Sequence, residues 1–233
     1  MLNRNLKIAI GIALALGATQ LKGADPKTPS KYRLDSLRGL EIKNIQGEVA
    51  EYRGRRAVRL IKGKDQGVET NSDAESLAIV SGTDFKDGTI EAEIAGTPAP
   101  GAPADSRGFI GIAFRVKDQG QKFECFYLRP TNGRAEDQLR RNHSLQYESI
   151  PDYPWHRLRK ENPGVYESYA DIEAGAWTKI RIEVAGAKAR LFVNGSAQPA
   201  LVVNDLKLGD GHGPIALWST VETDGHFSNL TVR

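Results

Sequence analysis

A two-residue periodicity of apolar side chains is the feature of this chain that most restricts its fold. Between Thr89 and Ala95, isoleucine and alanine alternate with glutamate, and between Trp177 and Val184, isoleucine and valine alternate with charged residues. Successive side chains of a β-strand point to opposite faces of a sheet, so this pattern gives each strand one buried and one solvated face. The periodicity therefore predicts antiparallel sheets that are wet on one side.

Ten strand-like segments follow one another with turn residues between them, which is typical of a two-sheet sandwich. The predicted strands are residues 49–52, 57–61, 77–80, 89–95, 109–116, 123–128, 177–184, 189–193, 215–218 and 227–232. We expect the buried side chains to include Ile90, Ile112, Phe114, Ile182, Leu191 and Trp218.

The first 23 residues have the features of a cleaved signal peptide. Arg4 and Lys7 precede an apolar run over residues 8–16, and small residues follow it. This run is about half of the ~20 residues that a transmembrane helix needs, so we expect no membrane anchor. The sequence therefore predicts a periplasmic or secreted protein, with residues 24–36 as a polar tail and residues 37–233 as one domain.

The charge balance limits which partners the chain is suited to bind, and the cysteine content limits how the fold is stabilised. Without residues 1–23 the chain carries 29 basic and 29 acidic residues, which gives no basic excess for nucleic acid. Cys125 is the single cysteine, so an internal disulfide is excluded and the hydrophobic core must hold the domain together.

Several segments resemble strands of the concanavalin A-like lectin and glucanase superfamily. They read FKDGTIEAEIAG, GFIGIAFRV, AWTKIRIEVAGAKARLFVNG, LVVNDLK and GPIALWST followed by GHFSNLTV. Within that superfamily, residues 35–233 most resemble the 3-keto-disaccharide hydrolase domain family. The resemblance implies a jelly-roll sandwich of two antiparallel sheets with one long loop insertion, and it carries over Arg115 and Glu124. The Gln of the family's Glu-x-Gln pattern has no counterpart after Glu124.

The candidate site is the long stretch from residue 129 to 171, which mixes balanced charges with tyrosines and a tryptophan. Aromatic rings stack on sugar rings, while guanidinium and carboxylate groups each bind pairs of hydroxyls. The same composition suits a structural flap whose charges pair with one another, and a strand near residues 144–149 would divide the stretch. The predicted carbohydrate-binding or small-molecule-binding residues are Arg115, Arg129, Arg141, Gln146, Tyr147 and Trp155.

The chemistry that the resemblance implies is cleavage of a keto-sugar. A 3-keto group acidifies the neighbouring C–H, so that a base and an acid promote elimination of the glycosidic oxygen, often with a divalent metal. Glu124, His143 and Glu167 are the candidates for these roles, and no compact metal-binding motif assigns a metal. Three functions stay open: a 3-keto-disaccharide-type glycoside hydrolase, a noncatalytic glycan-binding module, and a partner-binding domain like those related to laminin G.

Overall fold

Two antiparallel β-sheets pack face to face in the computed structural model, which describes residues 29–63 and 76–233. The predicted signal peptide and the first part of the predicted tail lie outside the described residues. One sheet has eight strands and the other has seven.

The strands, in chain order, are β1 (Ser30–Tyr32), β2 (Leu40–Lys43), β3 (Gln46–Tyr52), β4 (Arg55–Ile61), β5 (Ser76–Val80), β6 (Gly88–Pro98), β7 (Ile110–Lys117), β8 (Lys122–Leu128), β9 (Leu145–Ile150), β10 (Glu167–Ser168), β11 (Thr178–Ala185), β12 (Lys188–Val193), β13 (Leu201–Val203), β14 (Ala216–Ser219) and β15 (Thr223–Val232). Two short helices, α1 (Gln138–Asn142) and α2 (Trp155–Glu161), lie between β8 and β10, and 3₁₀ turns cover Asp118–Gly120 and Pro130–Asn132. Neither helix in this part of the chain is long enough to span a membrane.

The eight-stranded sheet has the order β13-β12-β11-β6-β15-β4-β3, with β1 paired to β15. The seven-stranded sheet has the order β10-β9-β8-β7-β14-β5-β2.

The structure confirms the all-β sandwich and each of the ten predicted strands. It adds β1, β2, β9, β10 and β13, of which β9 lies where a dividing strand was expected. Ser30–Tyr32, which the sequence places in the tail, pairs with β15 as β1. The ordered sheet therefore begins before the predicted domain start at residue 37.

The core between the sheets comes from the alternating apolar side chains. Five of the six side chains expected to be buried belong to this cluster, from Ile90 on β6 to Leu191 on β12. Trp218 is also buried, but it lies in a second apolar cluster with Cys125 and Tyr127 on the outer face of the seven-stranded sheet. Burying a large apolar side chain is worth about 1.5–3 kcal/mol, so these clusters provide the main driving force for folding.

The register of β8, β9 and β10 determines which side chains reach the outer face. Tyr127 pairs with Gln146, Gln146 pairs with Glu167, and Phe126 pairs with Tyr147. Residues paired across an antiparallel ladder share a face, and their neighbours along the strand point the other way. Tyr127, Gln146 and Glu167 therefore lie on the outer face, while Phe126 and Tyr147 point into the core.

Candidate functional site

A pocket of about 500 Å³ opens on the outer face of the seven-stranded sheet, where β8 ends. The segment before β7, helix α1 and the first turn of α2 form its walls. Its charged and aromatic lining consists of Arg107, Arg129, Arg140, Arg159, His143, Asp105, Asp137, Phe109 and Trp155. The pocket thus joins four guanidinium groups to two aromatic rings.

Arg129 is the most firmly held of these guanidinium groups, and its residue is only 3% exposed. Its Nη2 donates to the Tyr127 hydroxyl and to Gln146 Oε1, both at 3.0 Å, and its Nη1 donates to the His143 carbonyl at 3.1 Å. The rings of Phe109 and Trp155 lie 5.2 and 5.5 Å from its Cζ atom, within cation–π distance. Arg129 is therefore a preorganised group at the floor of the pocket.

Glu167 connects the basic groups beside the pocket. Its carboxylate accepts two-pronged hydrogen bonds from Arg159, with a shortest distance of 2.7 Å. It also lies 3.2 Å from His143 Nε2 and 3.9 Å from Arg129 Nη1. Because the carboxylate is almost fully buried, these partners are what make its burial tolerable.

His143 lies beside Glu167 at the edge of the pocket, with its Nε2 atom 3.2 Å from Oε1 of the carboxylate. Burial is the main cause that lowers the pKa of His143, and the charges of Arg159 and Arg129 lower that pKa further, while Glu167 opposes them. The lowered pKa favours the neutral imidazole at pH 7, and a neutral imidazole is able to accept a proton.

Trp155 supplies the exposed aromatic surface of the pocket. It begins α2, and its residue is 37% exposed. The Cζ atom of Arg159 lies 4.7 Å from its ring, and its backbone N–H donates to Glu148 Oε2 at 3.2 Å. Leu158, buried in the core, anchors the same helix. Trp155 is therefore a partly exposed aromatic side chain beside charged groups, on a helix that is anchored in the core.

Glu124 and Tyr147 lie inside the sandwich, on the other side of the sheet from the pocket. The Tyr147 hydroxyl donates to Glu124 Oε2 at 2.5 Å, and the Leu208 N–H donates to Oε1 at 2.7 Å. Burial, the largest effect, raises the pKa of Glu124 despite these hydrogen bonds. Since the sheet separates Glu124 from His143 and Glu167, the three predicted catalytic residues do not share a cleft.

Arg115 and Arg141 also lie away from the pocket. Arg115 is fully buried towards the far end of β7, where it donates to the carbonyl oxygens of Lys86, Gly186 and Gly209 at 2.5–3.1 Å. These bonds tie together loops of both sheets. Arg141 instead donates to the Tyr169 hydroxyl at 3.1 Å and stacks on the same ring.

The structure therefore divides the nine predicted site residues into three groups. The first group lines the pocket and consists of Arg129, His143 and Trp155. The second lies behind it, where Gln146 accepts a hydrogen bond from Arg129 and Glu167 lies beside His143 and Arg129. The remaining four, placed elsewhere, are Arg115, Glu124, Arg141 and Tyr147. The pocket also contains residues that the sequence pattern does not predict, among them Arg107, Phe109, Asn132, Arg140 and Arg159.

A metal site was left open by the sequence. Within residues 29–63 and 76–233, no three side chains of His, Cys, Asp or Glu come together in a group that could hold a metal ion. The donor set around His143 consists of one imidazole and one carboxylate, and that carboxylate is already bound by Arg159. The residues of this pocket therefore do not fit a divalent metal.

Comparisons with known proteins give the fold. No protein-family model matches the chain, and no curated protein matches it. Among solved structures, the carbohydrate-binding module CBM66 from Bacillus subtilis aligns with a TM-score of 0.53 and 15% identity, covering 84% of this chain and 96% of the module.

Two further solved structures have a similar fold. A Bacillus subtilis protein of unknown function with a galectin-like fold aligns with a TM-score of 0.56 and 11% identity, covering 88% of this chain and 94% of its own. This chain has the same galectin-like sandwich. The carbohydrate recognition domain of Emp47p aligns with a TM-score of 0.51 and 10% identity, covering 90% and 98% of the two chains. The predicted concanavalin A-like jelly roll is thereby confirmed at the level of fold.

Proposed function

We propose that this protein is a carbohydrate-binding domain whose sugar site is the pocket at the end of β8. The observation that carries the proposal is the placement of the exposed Trp155 ring beside the fixed guanidinium groups of Arg129 and Arg159. An aromatic face binds the C–H face of a pyranose, and guanidinium groups donate to its hydroxyls in pairs.

Two further features support a sugar ligand. The volume of about 500 Å³ lies within the ~300–1,000 Å³ that is usual for small-molecule pockets. A carbohydrate-binding module and a carbohydrate recognition domain share the fold. Because fold alone does not determine function, the side chains of the pocket remain the main support.

Export is part of the proposal. The basic start, short apolar run and small residues of the first 23 positions motivate it. Mass spectrometry of exported protein should find a new N-terminus between Ala18 and Ala24. Intact protein that begins at Met1 and stays in the cytosol would contradict export without affecting sugar binding.

Removal of the aromatic platform tests the sugar site. We expect Trp155→Ala to weaken the binding of sugars identified on a glycan array by at least tenfold, since burying an aromatic side chain against a ligand is worth about 1.5–3 kcal/mol. Isothermal titration calorimetry measures the affinity. Tyr169→Ala is the matched control, because Tyr169 is an equally exposed aromatic residue outside the pocket lining. Equal affinity of Trp155→Ala and wild type would rule out this pocket.

Hydrolysis of a 3-keto-disaccharide is the second candidate function, and the His143–Glu167 pair at 3.2 Å favours it. A neutral imidazole beside the pocket is suited to take the acidified C–H proton of a keto-sugar. The purified protein would be incubated with 3-keto-glucosides and ordinary disaccharides, with and without chelator. Sugar release that His143→Gln abolishes would establish catalysis, and binding without release would leave a noncatalytic module.

A further inference from the structure

Two arginines of the pocket, Arg107 and Arg140, have no carboxylate partner in the described parts of the chain. Arg140 donates from Nε to Asn132 Oδ1 at 2.9 Å and from Nη2 to Thr131 Oγ1 at 3.1 Å. Arg107 donates from Nη1 to the backbone carbonyls of Asp105 and Ser106. All of these acceptors are neutral, so hydrogen bonding orients both guanidinium groups without neutralising them.

The carboxylates near the pocket do not neutralise the positive charges of Arg107 and Arg140. Arg159 and Arg129 share the single carboxylate of Glu167. Asp137 lines the pocket, but its side chain accepts the backbone N–H of Arg140 as the N-cap of α1. Among the residues that line the pocket, four guanidinium groups face two carboxylates, those of Asp105 and Asp137, so the lining carries a net positive charge. Glu167 and Glu148, which accepts the Trp155 N–H, lie outside this lining.

Arg107 shares the pocket with Arg140 and Arg129, and it is repelled by the charges of both. Burial lowers the pKa of Arg107, and the charges of Arg140 and Arg129 lower it further, with only Asp105 opposing. Holding like charges together costs free energy that an anion would recover. Oriented guanidinium groups are also the side chains best suited to bind planar or tetrahedral oxyanions in two-pronged fashion.

We propose that the pocket selects an acidic sugar, whose carboxylate or sulfate group lies between Arg107 and Arg140 while its ring stacks on Trp155. This inference rests on the proposed carbohydrate binding and specifies the class of sugar. The oxyanion replaces the missing carboxylate partner, and the ring occupies the aromatic wall that a neutral sugar would also use.

Matched pairs of ligands test the inference. Calorimetry at low salt would compare a uronic acid oligosaccharide with the neutral oligosaccharide of the same linkage, and a sulfated oligosaccharide with its desulfated form. We expect the acidic member of at least one pair to bind at least tenfold tighter, and the pair that shows it identifies carboxylate or sulfate. The preference should shrink at 1 M salt, where the Debye length falls to about 3 Å.

Variants assign the preference to the two arginines. Arg140→Gln and Arg107→Gln should each lose most of the preference, because the affinity for the acidic sugar should fall by a larger factor than the affinity for the neutral one. Arg134→Gln is the control, since Arg134 is exposed and paired with Asp171 and Glu173 outside the pocket. If Arg140→Gln folds poorly, Arg140→Lys replaces it in the test. This variant keeps the charge and should retain part of the preference for the acidic sugar.

The outcomes separate the inference from the function on which it rests. Equal binding of acidic and neutral sugars by the wild type, with both weakened by Trp155→Ala, would overturn the acidic selectivity and leave sugar binding intact. A preference that survives both glutamine substitutions would overturn the role of these arginines. Absence of binding to any sugar would overturn both proposals.

Discussion

Glu124 shows how a single buried carboxyl group is accommodated. It lies between the sheets with the Tyr147 hydroxyl and the Leu208 N–H as its donors, and burial raises its pKa. A carboxyl group whose pKa is raised on folding makes its stabilising contribution at low pH and loses it as the pH rises through the folded pKa. Its hydrogen bonds link β8 to β9 and to the segment after β13, which is a structural role.

We expect Glu124→Ala to lower the free energy of unfolding by about 1–3 kcal/mol, because two buried donors would lose their acceptor. Sugar affinity per folded molecule should stay unchanged, since the side chain faces away from the pocket. Urea unfolding and calorimetry measure the two quantities. Tyr147→Phe removes one of the two donors and also the acceptor of the Lys207 N–H, so it should lower the free energy of unfolding as well. A folded Glu124→Ala protein that no longer binds sugar would contradict this assignment.

At the scale of single residues, the sequence predicts which residue types form the site better than it predicts where each side chain points. It singled out Arg141, whereas its neighbour Arg140 enters the pocket. Helix α1 has only five residues, so no apolar periodicity shows which side faces the sheet. For Glu124 the signal existed, because strand alternation places it on the same face as Phe126, which packs in the core. Arg107 lies on a loop whose proximity to β8 is a matter of tertiary structure.

At the scale of elements, the stretch between β8 and β11 extends the sheet instead of folding over it. Strands β9 and β10 add to the edge of the seven-stranded sheet, and α1 and α2 form pocket walls beside them. The alternation of Leu145 and Tyr147 with polar residues indicates a half-buried strand, but a two-residue strand such as β10 leaves no periodic signal. The ion pair from Arg159 to Glu167 fastens α2 to β10.

Because this ion pair connects α2 to β10, substitutions of Glu167 and of Arg141 should differ in their effect on stability. Glu167→Ala should lower the free energy of unfolding by roughly 2 kcal/mol or more, because Arg159, Arg129 and His143 lose a nearly buried partner. The Arg141 side chain donates to the exposed Tyr169 hydroxyl. The free energy of unfolding of Arg141→Ala should therefore stay within about 0.5 kcal/mol of the wild-type value. Thermal unfolding distinguishes the two, and equal melting temperatures would show that the ion pair does not hold α2.

At the scale of the whole molecule, the sandwich has two unlike outer faces. The seven-stranded sheet carries the pocket and an apolar cluster, while the eight-stranded sheet carries ion pairs such as Arg59 with Asp224. The sequence predicted the strands because periodicity reports which face is buried. It did not predict their order, since β15 pairs with β6, β4 and β1, which are distant in the chain. Pairing of that kind depends on the packing of the entire domain.

The outer face of the eight-stranded sheet also contains a buried histidine. His226 is 3% exposed, and its ring stacks on Tyr52 with a centroid distance of 3.8 Å. Its Nδ1 lies 3.7 Å from Asp224 Oδ1, and Arg59 and Glu48 are the other charges that face it. Burial is the largest effect and lowers the pKa of His226, with Arg59 acting in the same direction and the two carboxylates opposing it.

We expect this histidine to make the stability of the molecule depend on pH. Because its pKa is lower in the folded state than the ~6.5 of an unfolded chain, the unfolded protein takes up the proton first as the pH falls. The free energy of unfolding should therefore decrease between pH 7.5 and 5.5, by at most about 1.4 kcal/mol from this group, since pH 5.5 lies about one unit below the unfolded pKa. Urea unfolding of wild type and His226→Gln at both pH values measures the effect.

The His226→Gln variant should lose less stability than wild type as the pH falls. Since Glu124 and the other titrating groups are common to both proteins, their contributions cancel in the comparison. His143→Gln should reduce the dependence in the same direction, because burial lowers that pKa as well. If wild type and His226→Gln change equally with pH, His226 is protonated as readily in the fold as in the unfolded chain.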